Sequence, residues 1–422
     1  MTDVVVVGAG LAGLLAAARL QEQGAQVTVV TFGVGGLQLS HGGFDVLGYA
    51  PDYVERPFDA LDGFAAEHPD HPYALLGADQ VRAGAEYAER FFGSARLGGN
   101  GTRNWRLPTA VGALRPTWLA PQSMTEADPG TPQADAGGRD RDGREVVVIG
   151  LRQLKDFPAE LIAGNLARQP DYPAVRASVV DFPARGPEPD SSAVAYARSL
   201  DDPAYRSRFA KLLRRTVRRH ERVLLPAIVG LRDPDAFGEL QELVGAPLAE
   251  VPLPPPGVPG MRLTEFATRT LQDRRVRWIL GSRVVGVHGH DQMVQSVDVA
   301  TSGHTTTLTT GAVVYAPGGF ESGALQLDSH GVVSEAHLGL PVRVPDGELV
   351  VADRHAEQPL FRAGLAVDDR MRVLDAAGRP VYRNLYAAGG VLAGALRWTE
   401  KSGEGIAAAS AVRAADVIGG QQ

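Results

Sequence analysis

The amino-acid sequence has no cysteine among its 422 residues. The chain therefore forms no disulfide bond, and it lacks the paired CxxC thiols on which flavin disulfide reductases depend. Iron–sulfur clusters are held by cysteine thiolates, so this chain holds none. If the chain performs redox chemistry, its electrons pass to a partner protein or directly to a diffusible acceptor.

A basic excess and a long apolar run are also missing. The chain has 42 Lys and Arg against 49 Asp and Glu, a formal net charge of −7, which disfavours a nucleic-acid-binding protein. No apolar run approaches the roughly 20 residues of a membrane-spanning helix. No cleavable signal precedes the first predicted strand, so a cytoplasmic location is expected. The ten histidines show no metal-ligand spacing, and no metal site is predicted.

Glycine-rich turns stand near both ends of the chain, and this placement suggests the domain organisation. Length alone favours two domains. The expected fold class is α/β, with a Rossmann-like FAD/NAD(P)-binding domain assembled from residues 1–110 and 261–422. Residues 111–260 are then an inserted α+β domain that serves as a substrate or cap domain or as a subunit contact.

The first motif is the segment VVVVGAGLAGLLAAARLQEQGAQVTVVT, residues 4–31. It predicts an apolar strand, a glycine turn, a helix and a second apolar strand. In the GxGxxG fingerprint, Gly8 permits the tight turn, Gly10 lets the backbone approach a phosphate, and Gly13 lets helix and strand pack closely. The phosphate then meets the positive end of the helix. The predicted cofactor contacts are Gly8, Ala9, Gly10, Leu11, Ala12 and Gly13.

Thr31 ends the second strand, where dinucleotide-binding chains usually place Asp or Glu. That acid hydrogen-bonds the adenosine ribose, whereas a threonine hydroxyl has no charge. NAD or FAD then requires other groups to hold the ribose, and a cofactor without the adenosine half needs no acid there. Thr31 is retained among the predicted cofactor contacts.

Two further glycine turns follow predicted strands in the C-terminal part of the chain. The sequence APGGF follows the strand 312–315, and AAGG follows Leu385-Tyr386. Small residues at such points let the backbone approach a flat ligand, although tight turns without a ligand also explain them. The predicted cofactor contacts in these turns are Ala316, Gly318, Gly319, Gly389 and Gly390.

The middle of the chain is interpreted from its composition. A helix is predicted over 201–225, and its basic residues from Arg206 to Arg222 form a solvated face or a docking surface for an acidic subunit or anionic lipid. The Gly/Asp/Pro-rich tract 128–144 is interpreted as a solvent loop at a hairpin tip, because VVVIG follows at Val146. Short strands between 276 and 310 predict an antiparallel meander.

Together these motifs resemble the flavoproteins of the fumarate reductase and succinate dehydrogenase superfamily. The resemblance is carried by VVVVGAGLAGLLAAARL, TGAVVYAPGGF and NLYAAGGVLAG with its following Ala-rich helix. More closely, the chain is similar to the B-subunit family of anaerobic glycerol-3-phosphate dehydrogenase, on the stretches VTVVTFG…LQLSHGGFDVLG and VPLPPPGVPGMRL. The resemblance spans nearly the whole chain.

This resemblance implies a quinone-linked glycerol-3-phosphate dehydrogenase, which oxidises sn-glycerol 3-phosphate to dihydroxyacetone phosphate and passes electrons to the quinone pool. It implies FMN as the cofactor, with FAD as the alternative. It also implies a catalytic flavoprotein subunit and an iron–sulfur subunit as partners, and through them a peripheral position on the cytoplasmic face of the membrane. Thr31 fits FMN, and so does Gly390, where many FAD enzymes of the superfamily have Asp.

The implied reaction requires a base for the hydroxyl proton and cations for the phosphate. His41 is the candidate base, because it lies in a glycine loop expected to face the flavin; alternatively it fills that loop. Arg262 and Arg397 are candidates to contact an anionic substrate or the flavin, since guanidinium pairs bidentately with phosphate; alternatively they are surface cations.

The remaining predicted flavin contacts lie in two loops. The turn SGEG puts N–H groups at a helix start, where they stabilise a reduced flavin ring or form an ordinary cap. The glycine loop around His41 is expected to wrap the flavin. The predicted contacts are Ser40, Gly42, Gly43, Ser402, Gly403 and Gly405.

Two other functions stay open at this point. One is a stand-alone FAD-dependent dehydrogenase or fumarate-type reductase. The other is a flavin electron-relay subunit without a substrate of its own, because hydride transfer in the implied complex can belong to the partner flavoprotein.

Overall fold

The computed structural model of the chain describes residues 3–130 and 145–420. The chain divides into two compact units. The first unit comprises Met1–Leu37, Asp45–Phe92 and Phe266–Gln422, and the second unit comprises Gln38–Phe44 and Gly93–Glu265. The predicted domain boundaries at 110/111 and 260/261 stay a prediction, because a unit defined by contacts does not test independent folding.

The described residues form eighteen strands and eleven α-helices. The strands are β1 Asp3–Val7, β2 Gln26–Thr31, β3 Trp105–Pro108, β4 Leu114–Thr117, β5 Val146–Leu151, β6 Val175–Val180, β7 Arg222–Pro226, β8 Leu248–Val251, β9 Arg277–Leu280, β10 Arg283–His290, β11 Met293–Thr301, β12 His304–Thr309, β13 Ala312–Tyr315, β14 Leu325–Leu327, β15 Val333–Glu335, β16 Val342–Arg343, β17 Gly364–Leu365 and β18 Leu385–Ala387. The helices are α1 Leu11–Glu22, α2 Pro57–Glu67, α3 Pro72–Phe92, α4 Gln122–Thr125, α5 Ala159–Leu166, α6 Ala193–Leu200, α7 Pro203–Thr216, α8 Ala236–Val244, α9 Val258–Asp273, α10 Arg397–Glu400 and α11 Gly403–Gly419.

A five-stranded sheet in the order β18-β13-β1-β2-β9 forms the centre of the first unit. All neighbouring strands in it are parallel, and Val5 of β1 pairs with Val313 of β13 and with Thr28 of β2. The strands β1, β13 and β18 are continuous apolar runs because almost all of their residues are buried, as is usual in parallel sheets. The predicted β1–α1–β2 opening is confirmed.

Helices α1, α3 and α11 pack against one another in the first unit. A Cβ atom on Gly84 of α3 would lie 2.6 Å from the Cα atom of Ala409 in α11, so a glycine is needed for this approach. The Asp416 carboxylate of α11 accepts hydrogen bonds from Arg19 Nε at 2.6 Å and from Gln23 Nε2 at 2.7 Å. The C-terminal helix is therefore bound to the N-terminal one by both apolar and ionic contacts.

The strands after α9 differ in part from the predicted meander. Strands β10, β11 and β12 do form an antiparallel sheet. Strand β9 does not belong to it, because β9 runs parallel to β2 at the edge of the five-stranded sheet. That part of the prediction was wrong because a short apolar strand has the same sequence pattern in either partnership.

The second unit contains another parallel sheet, in the order β6-β5-β7-β8. Helices connect its consecutive strands, as parallel pairing requires, and an antiparallel β3–β4 hairpin completes the unit. The expected α/β fold class is confirmed, but the inserted part is itself α/β rather than the expected α+β. The predicted hairpin at Val146 is wrong, since β5 runs parallel to both β6 and β7; residues 131–144 of the predicted loop lie outside the described residues.

The basic segment predicted as one helix is a helix followed by a strand. Helix α7 ends at Thr216, and Val217 is already extended with φ −82° and ψ 133°. Residues Arg222–Pro226 form the fully buried strand β7, which the apolar run VLLP explains better than a helix does.

The prediction of a solvated basic face is also wrong for Arg206, because only 1% of this residue is exposed. Its guanidinium donates to the carbonyl oxygens of Leu200 at 2.7 Å and Asp201 at 3.0 Å. It also pairs with the carboxylates of Asp233, at 2.8 Å, and Glu239. Arg206 is therefore a structural residue of the second unit.

We expect Arg206→Met to lower the free energy of unfolding by about 2–4 kcal/mol, because two buried carbonyl oxygens lose their donor. Urea unfolding followed by circular dichroism measures this effect. Arg214→Met is the control, since Arg214 is exposed on the same helix and its loss should change the free energy by about 0.5 kcal/mol or less. Equal effects of the two substitutions would contradict the structural role of Arg206.

Candidate functional site

Three glycine turns meet at one edge of the five-stranded sheet. They follow β1, β13 and β18, which are adjacent and parallel, so their carboxyl ends lie side by side. A Cβ atom on Gly8 would lie 2.2 Å from the carbonyl oxygen of Ala316, and one on Gly389 would lie 2.8 Å from the Cβ atom of Ala12. Open α/β sheets bind ligands in the crevice outside the carboxyl ends of their strands. The structure thus brings the three predicted turns together, while their contact with a cofactor stays a prediction.

Each of the three fingerprint positions, Gly8, Gly10 and Gly13, is suited to glycine for a different physical reason. Gly8 has a φ of +100°, and a Cβ atom on Gly13 would lie 2.0 Å from the carbonyl oxygen of Gly8. Gly10 has a φ of −74°, which suits any residue. A Cβ atom on Gly10 would meet no atom of the described residues within 4 Å. The Cβ position of Gly10 therefore points into open space, and we call the backbone of Gly8–Gly13 around this space the cradle.

This cradle fits an anion such as a phosphate group. Gly10 is the N-cap of α1 and contributes no capping side chain, and the first turn of α1 carries no acidic residue. The first N–H groups of a helix have no partner within the helix, and they form the positive end of its dipole. Ala9 lies between β1 and α1, and Leu11 and Ala12 lie in the first turn of α1; their predicted contact with a cofactor stays a prediction.

Gly35 is a neighbour of the cradle that sequence reasoning missed. Its φ is +80°, and a Cβ atom on it would lie 2.1 Å from the carbonyl oxygen of Ala9 and 2.7 Å from the nitrogen of Gly10. The loop after β2 therefore lies directly on the Ala9–Gly10 peptide. The sequence feature that could have indicated this contact is the Gly35-Gly36 pair shortly after β2.

Thr31 is buried, and its hydroxyl serves the local turn. Its Oγ1 donates to the carbonyl oxygen of Gly33 at 2.6 Å, and its own carbonyl accepts from the Ser282 nitrogen at 3.1 Å. With the hydroxyl proton used in this way, the oxygen is left to accept a hydrogen bond from a ligand. A ribose contact of the kind that a carboxylate makes is therefore reduced to a single weaker one.

Arg397 lies against the second and third glycine turns. Added Cβ atoms on Gly319 and Gly390 would lie 2.9 Å and 2.7 Å from its guanidinium nitrogens. Its Nη2 donates to Glu321 Oε1 at 3.2 Å, and Trp398 Nε1 donates to the same oxygen at 3.1 Å. The side chain is 21% exposed, so Arg397 is oriented by protein contacts and not fully enclosed.

The start of α11 is less open than the sequence suggested. The nitrogen of Gly405 donates to the carbonyl oxygen of Asp45 at 2.9 Å, and a Cβ atom on Gly405 would lie 2.2 Å from the hydroxyl of Tyr73. The prediction of a free N–H group at Gly405 is therefore wrong, because this N–H group is hydrogen-bonded and the glycine is tightly packed. Gly403 faces Arg397 instead, with an added Cβ atom 3.8 Å from the Cβ atom of Arg397.

A buried polar cluster that the sequence did not reveal lies next to this turn. The carboxylate of Glu400 accepts from Ser402 Oγ at 2.7 Å, from His71 Nε2 at 3.1 Å and from the Leu396 nitrogen at 2.9 Å. The exposed fractions of His71, Glu400 and Ser402 are 2%, 8% and 0%. Burial tends to raise the pKa of Glu400, but the hydrogen bonds from His71, Leu396 and Ser402 outweigh it and lower that pKa. The carboxylate is therefore a buried anion.

The loop Ser40–Gly43 belongs to the second unit. The nitrogen of Gly42 donates to Ser40 Oγ at 3.2 Å, and Gly42 has a φ of +90°. A Cβ atom on Gly43 would lie 2.5 Å from His41 Nε2 and 2.6 Å from the Cγ2 atom of Thr117, so the ring of His41 lies on the Gly43 backbone. The assignment of His41 as a base stays a prediction.

Arg262, also in the second unit, is already engaged by protein groups. Its Nη1 and Nη2 donate to the Glu250 carboxylate at 2.6 and 2.9 Å. Its Nε donates to the carbonyl oxygen of Gly230 at 2.8 Å, and Nη2 also donates to that of Val229 at 3.0 Å. These contacts give Arg262 a structural role, and its predicted contact with substrate or flavin stays untested.

Within residues 3–130 and 145–420 there is no group of three or more His, Asp or Glu side chains that could hold a metal ion. No helix in that part of the chain is long and apolar enough to span a bilayer.

Comparison with known proteins identifies the family of this chain. A family model described as "FAD binding domain" matches residues 3–406. The B subunits of anaerobic glycerol-3-phosphate dehydrogenase are 31% identical in Pectobacterium carotovorum and 32% identical in Pectobacterium atrosepticum, each over 99% of this chain and 98% of the relative. The chain belongs to the B-subunit family of anaerobic glycerol-3-phosphate dehydrogenase. The resemblance inferred from the sequence motifs is confirmed, and the FAD-binding model also places the family in the fumarate reductase and succinate dehydrogenase superfamily.

Solved structures are similar to this member of the B-subunit family over its full length. A 3-ketosteroid Δ1-dehydrogenase from Sterolibacterium denitrificans is 14% identical with a TM-score of 0.47, covering 100% of both chains. A flavocytochrome c3 fumarate reductase is 13% identical with a TM-score of 0.45, covering 99% of this chain and 77% of the other.

The contrast between Gly10 and Gly13 generates a test of the cradle. We expect Gly10→Ala to change the free energy of unfolding by less than about 1 kcal/mol, because the added methyl group meets open space, and to weaken flavin binding at least tenfold. Gly13→Ala should instead destabilise the fold, because its methyl group meets the Gly8 carbonyl. Thermal unfolding and fluorescence titration with flavin measure the two effects. Unchanged flavin affinity in Gly10→Ala would show that the cradle does not hold the cofactor.

Proposed function

We propose that this chain is the flavin-carrying B subunit of a quinone-linked sn-glycerol-3-phosphate dehydrogenase. In this proposal the complex oxidises glycerol 3-phosphate to dihydroxyacetone phosphate and passes the electrons through partner subunits to the quinone pool. The observation that carries it is the meeting of three glycine turns at one sheet edge, around a backbone cradle at Gly10. The relatives named as B subunits are matched over almost their whole length, which supports the substrate.

The residues of the first unit fit a flavin nucleotide. The Gly8–Gly13 turn and the start of α1 would hold the phosphate, because they offer the backbone N–H groups of a helix start and no competing acid. The turns at Gly318-Gly319 and Gly389-Gly390 would lie along the flavin, since they present backbone without side chains. A bound flavin supplies a hydride acceptor that can release its electrons one at a time.

We propose FMN as the flavin, with FAD as the alternative. Thr31 has no charge and already donates to Gly33, so the usual carboxylate for the adenosine ribose is missing. The family description favours FAD, and in that case another group has to hold the ribose. The chemistry of the site supports either flavin, and their masses differ enough for direct identification.

Arg397 is proposed to bind an anionic group of the substrate or the flavin. Its guanidinium is partly exposed beside two glycine turns, and Glu321 orients it. A guanidinium pairs with phosphate through two parallel hydrogen bonds, which fixes both position and orientation. His41 is proposed as the base that accepts the hydroxyl proton, and this assignment depends on its ring nitrogen reaching the bound substrate.

The proposal of partner subunits is supported by the absence of cysteine from this chain. Without cysteine it has no ligands for an iron–sulfur cluster, so in the proposed complex such a cluster belongs to another protein. We propose a second flavoprotein subunit and an iron–sulfur subunit as partners, which would also place this chain peripherally on the cytoplasmic face of the membrane.

Acid release of the flavin from the purified full chain, followed by chromatography and mass measurement, is the first test. We expect FMN. Release of FAD would shift support to a stand-alone FAD-dependent dehydrogenase or reductase, which would then oxidise or reduce its substrate without partners. A chain that stays colourless after incubation with both flavins would contradict the proposed function.

The substrate role of Arg397 is tested in the assembled complex. We expect Arg397→Gln to lower kcat/KM for glycerol 3-phosphate about 10- to 100-fold, the loss expected from removing a charge-assisted hydrogen bond. Steady-state kinetics with a quinone acceptor measures it. Arg354→Gln is the control, because Arg354 is exposed in the same unit. Equal kinetics of both variants and the wild type would contradict the proposed anion-binding role of Arg397.

A further inference from the structure

The carboxylate of Glu400 joins the two ends of a short segment. Its Oε1 accepts from the backbone nitrogen of Leu396 at 2.9 Å, and its Oε2 accepts from the hydroxyl of Ser402 at 2.7 Å. Between those two residues lies α10, which begins with Arg397. One side chain therefore closes the segment 396–402 into a loop with a fixed shape.

His71 and the backbone at 48–49 hold this loop from outside. The carbonyl oxygen of Glu400 accepts from the nitrogens of Gly48 at 2.8 Å and Tyr49 at 3.1 Å. His71 Nδ1 accepts from the Tyr73 nitrogen at 3.0 Å, so that ring nitrogen carries no proton. The proton of the neutral ring is then on Nε2, which donates to Glu400 at 3.1 Å.

The loop places two parts of the proposed flavin site. The side chain of Arg397 extends from this loop to the backbone of Gly319 and Gly390. The other end of the loop, Ser402, is the residue from which α11 begins. A buried anion is costly to keep, and in some proteins such a group fixes one arrangement among several. Here the fixed arrangement is that of a cation and a helix start.

We infer that Glu400 is a positioning residue of the flavin site, which holds Arg397 and the start of α11 in the arrangement that a flavin requires. This inference rests on the proposed function, because it presupposes that the three glycine turns bind a flavin. It assigns no contact with the flavin to Glu400 or His71. Both act through Arg397 and Ser402.

Glu400→Gln in the full chain tests the inference directly. Glutamine keeps the size of the side chain and one acceptor for the Leu396 nitrogen, but its amide group cannot accept from both His71 and Ser402. We expect FMN, and FAD measured in parallel, to bind about tenfold more weakly, the loss of roughly one charge-assisted hydrogen bond. Quenching of flavin fluorescence gives the dissociation constant, and the visible spectrum of bound flavin should shift.

Glu221→Gln is the matched control, because Glu221 is a buried carboxylate of the second unit paired with Arg176 at 2.6 Å. We expect it to lower the melting temperature of the apoprotein as much as Glu400→Gln does, while flavin affinity stays within about twofold of the wild type. Equal flavin affinity in Glu400→Gln and the wild type would overturn the inference and leave Glu400 as a stability residue. A wild-type chain that binds neither flavin would overturn the proposed function itself.

Ser402→Ala covers the case in which Glu400→Gln does not fold. It removes one of the three hydrogen bonds to the carboxylate and keeps the backbone. We expect a smaller loss of flavin affinity in the same direction, with the melting temperature close to that of the wild type. Unchanged affinity in that variant would count against the positioning role of Glu400.

Discussion

At the carboxyl edge of the sheet in the first unit, segments of backbone approach one another so closely that there is no room for side chains between them. A Cβ atom on Gly8 would meet the carbonyl of Ala316, and one on Gly13 would meet the carbonyl of Gly8. This close approach brings β1, β13 and α1 within reach of a single ligand. The open cradle at Gly10, the position of Arg397 over Gly319 and Gly390, and the direction of α1 all depend on it. The glycines thus fall into two kinds, since Gly8 and Gly13 permit close packing, whereas Gly10 leaves open space beside the backbone.

Local sequence patterns were enough to predict the β1–α1–β2 opening, the three glycine turns and the α/β class. Each of these is specified by residues close in sequence, such as the four valines before Gly8. The errors arose where a distant partner decides the structure. Strand β9 pairs with β2, and β7 lies between β5 and β8, and neither partnership is visible in the strands themselves.

Buried charges were the second limit of sequence reasoning. Arg206 and Arg262 look like surface cations, yet each is held by carboxylates and carbonyl groups. Glu400 and His71 are far apart in the sequence and give no pattern at all. A charged residue can be assigned to solvent or to the interior only when its partners are known. For this reason the glycine cradle was predictable, whereas the ion pairs and the cluster around Glu400 were not.

The central strand of the first unit pairs on one side with β2 and on the other with β13, whose residues are made much later. During synthesis, the valines of β1 and the apolar face of α1 are finished long before Ala312 and Asp416 leave the ribosome. At the usual elongation rate this delay is on the order of tens of seconds. Two of the five strands therefore wait without their later partners while the rest of the sheet is translated. The parallel sheet of the first unit thus closes only after the second unit has been made.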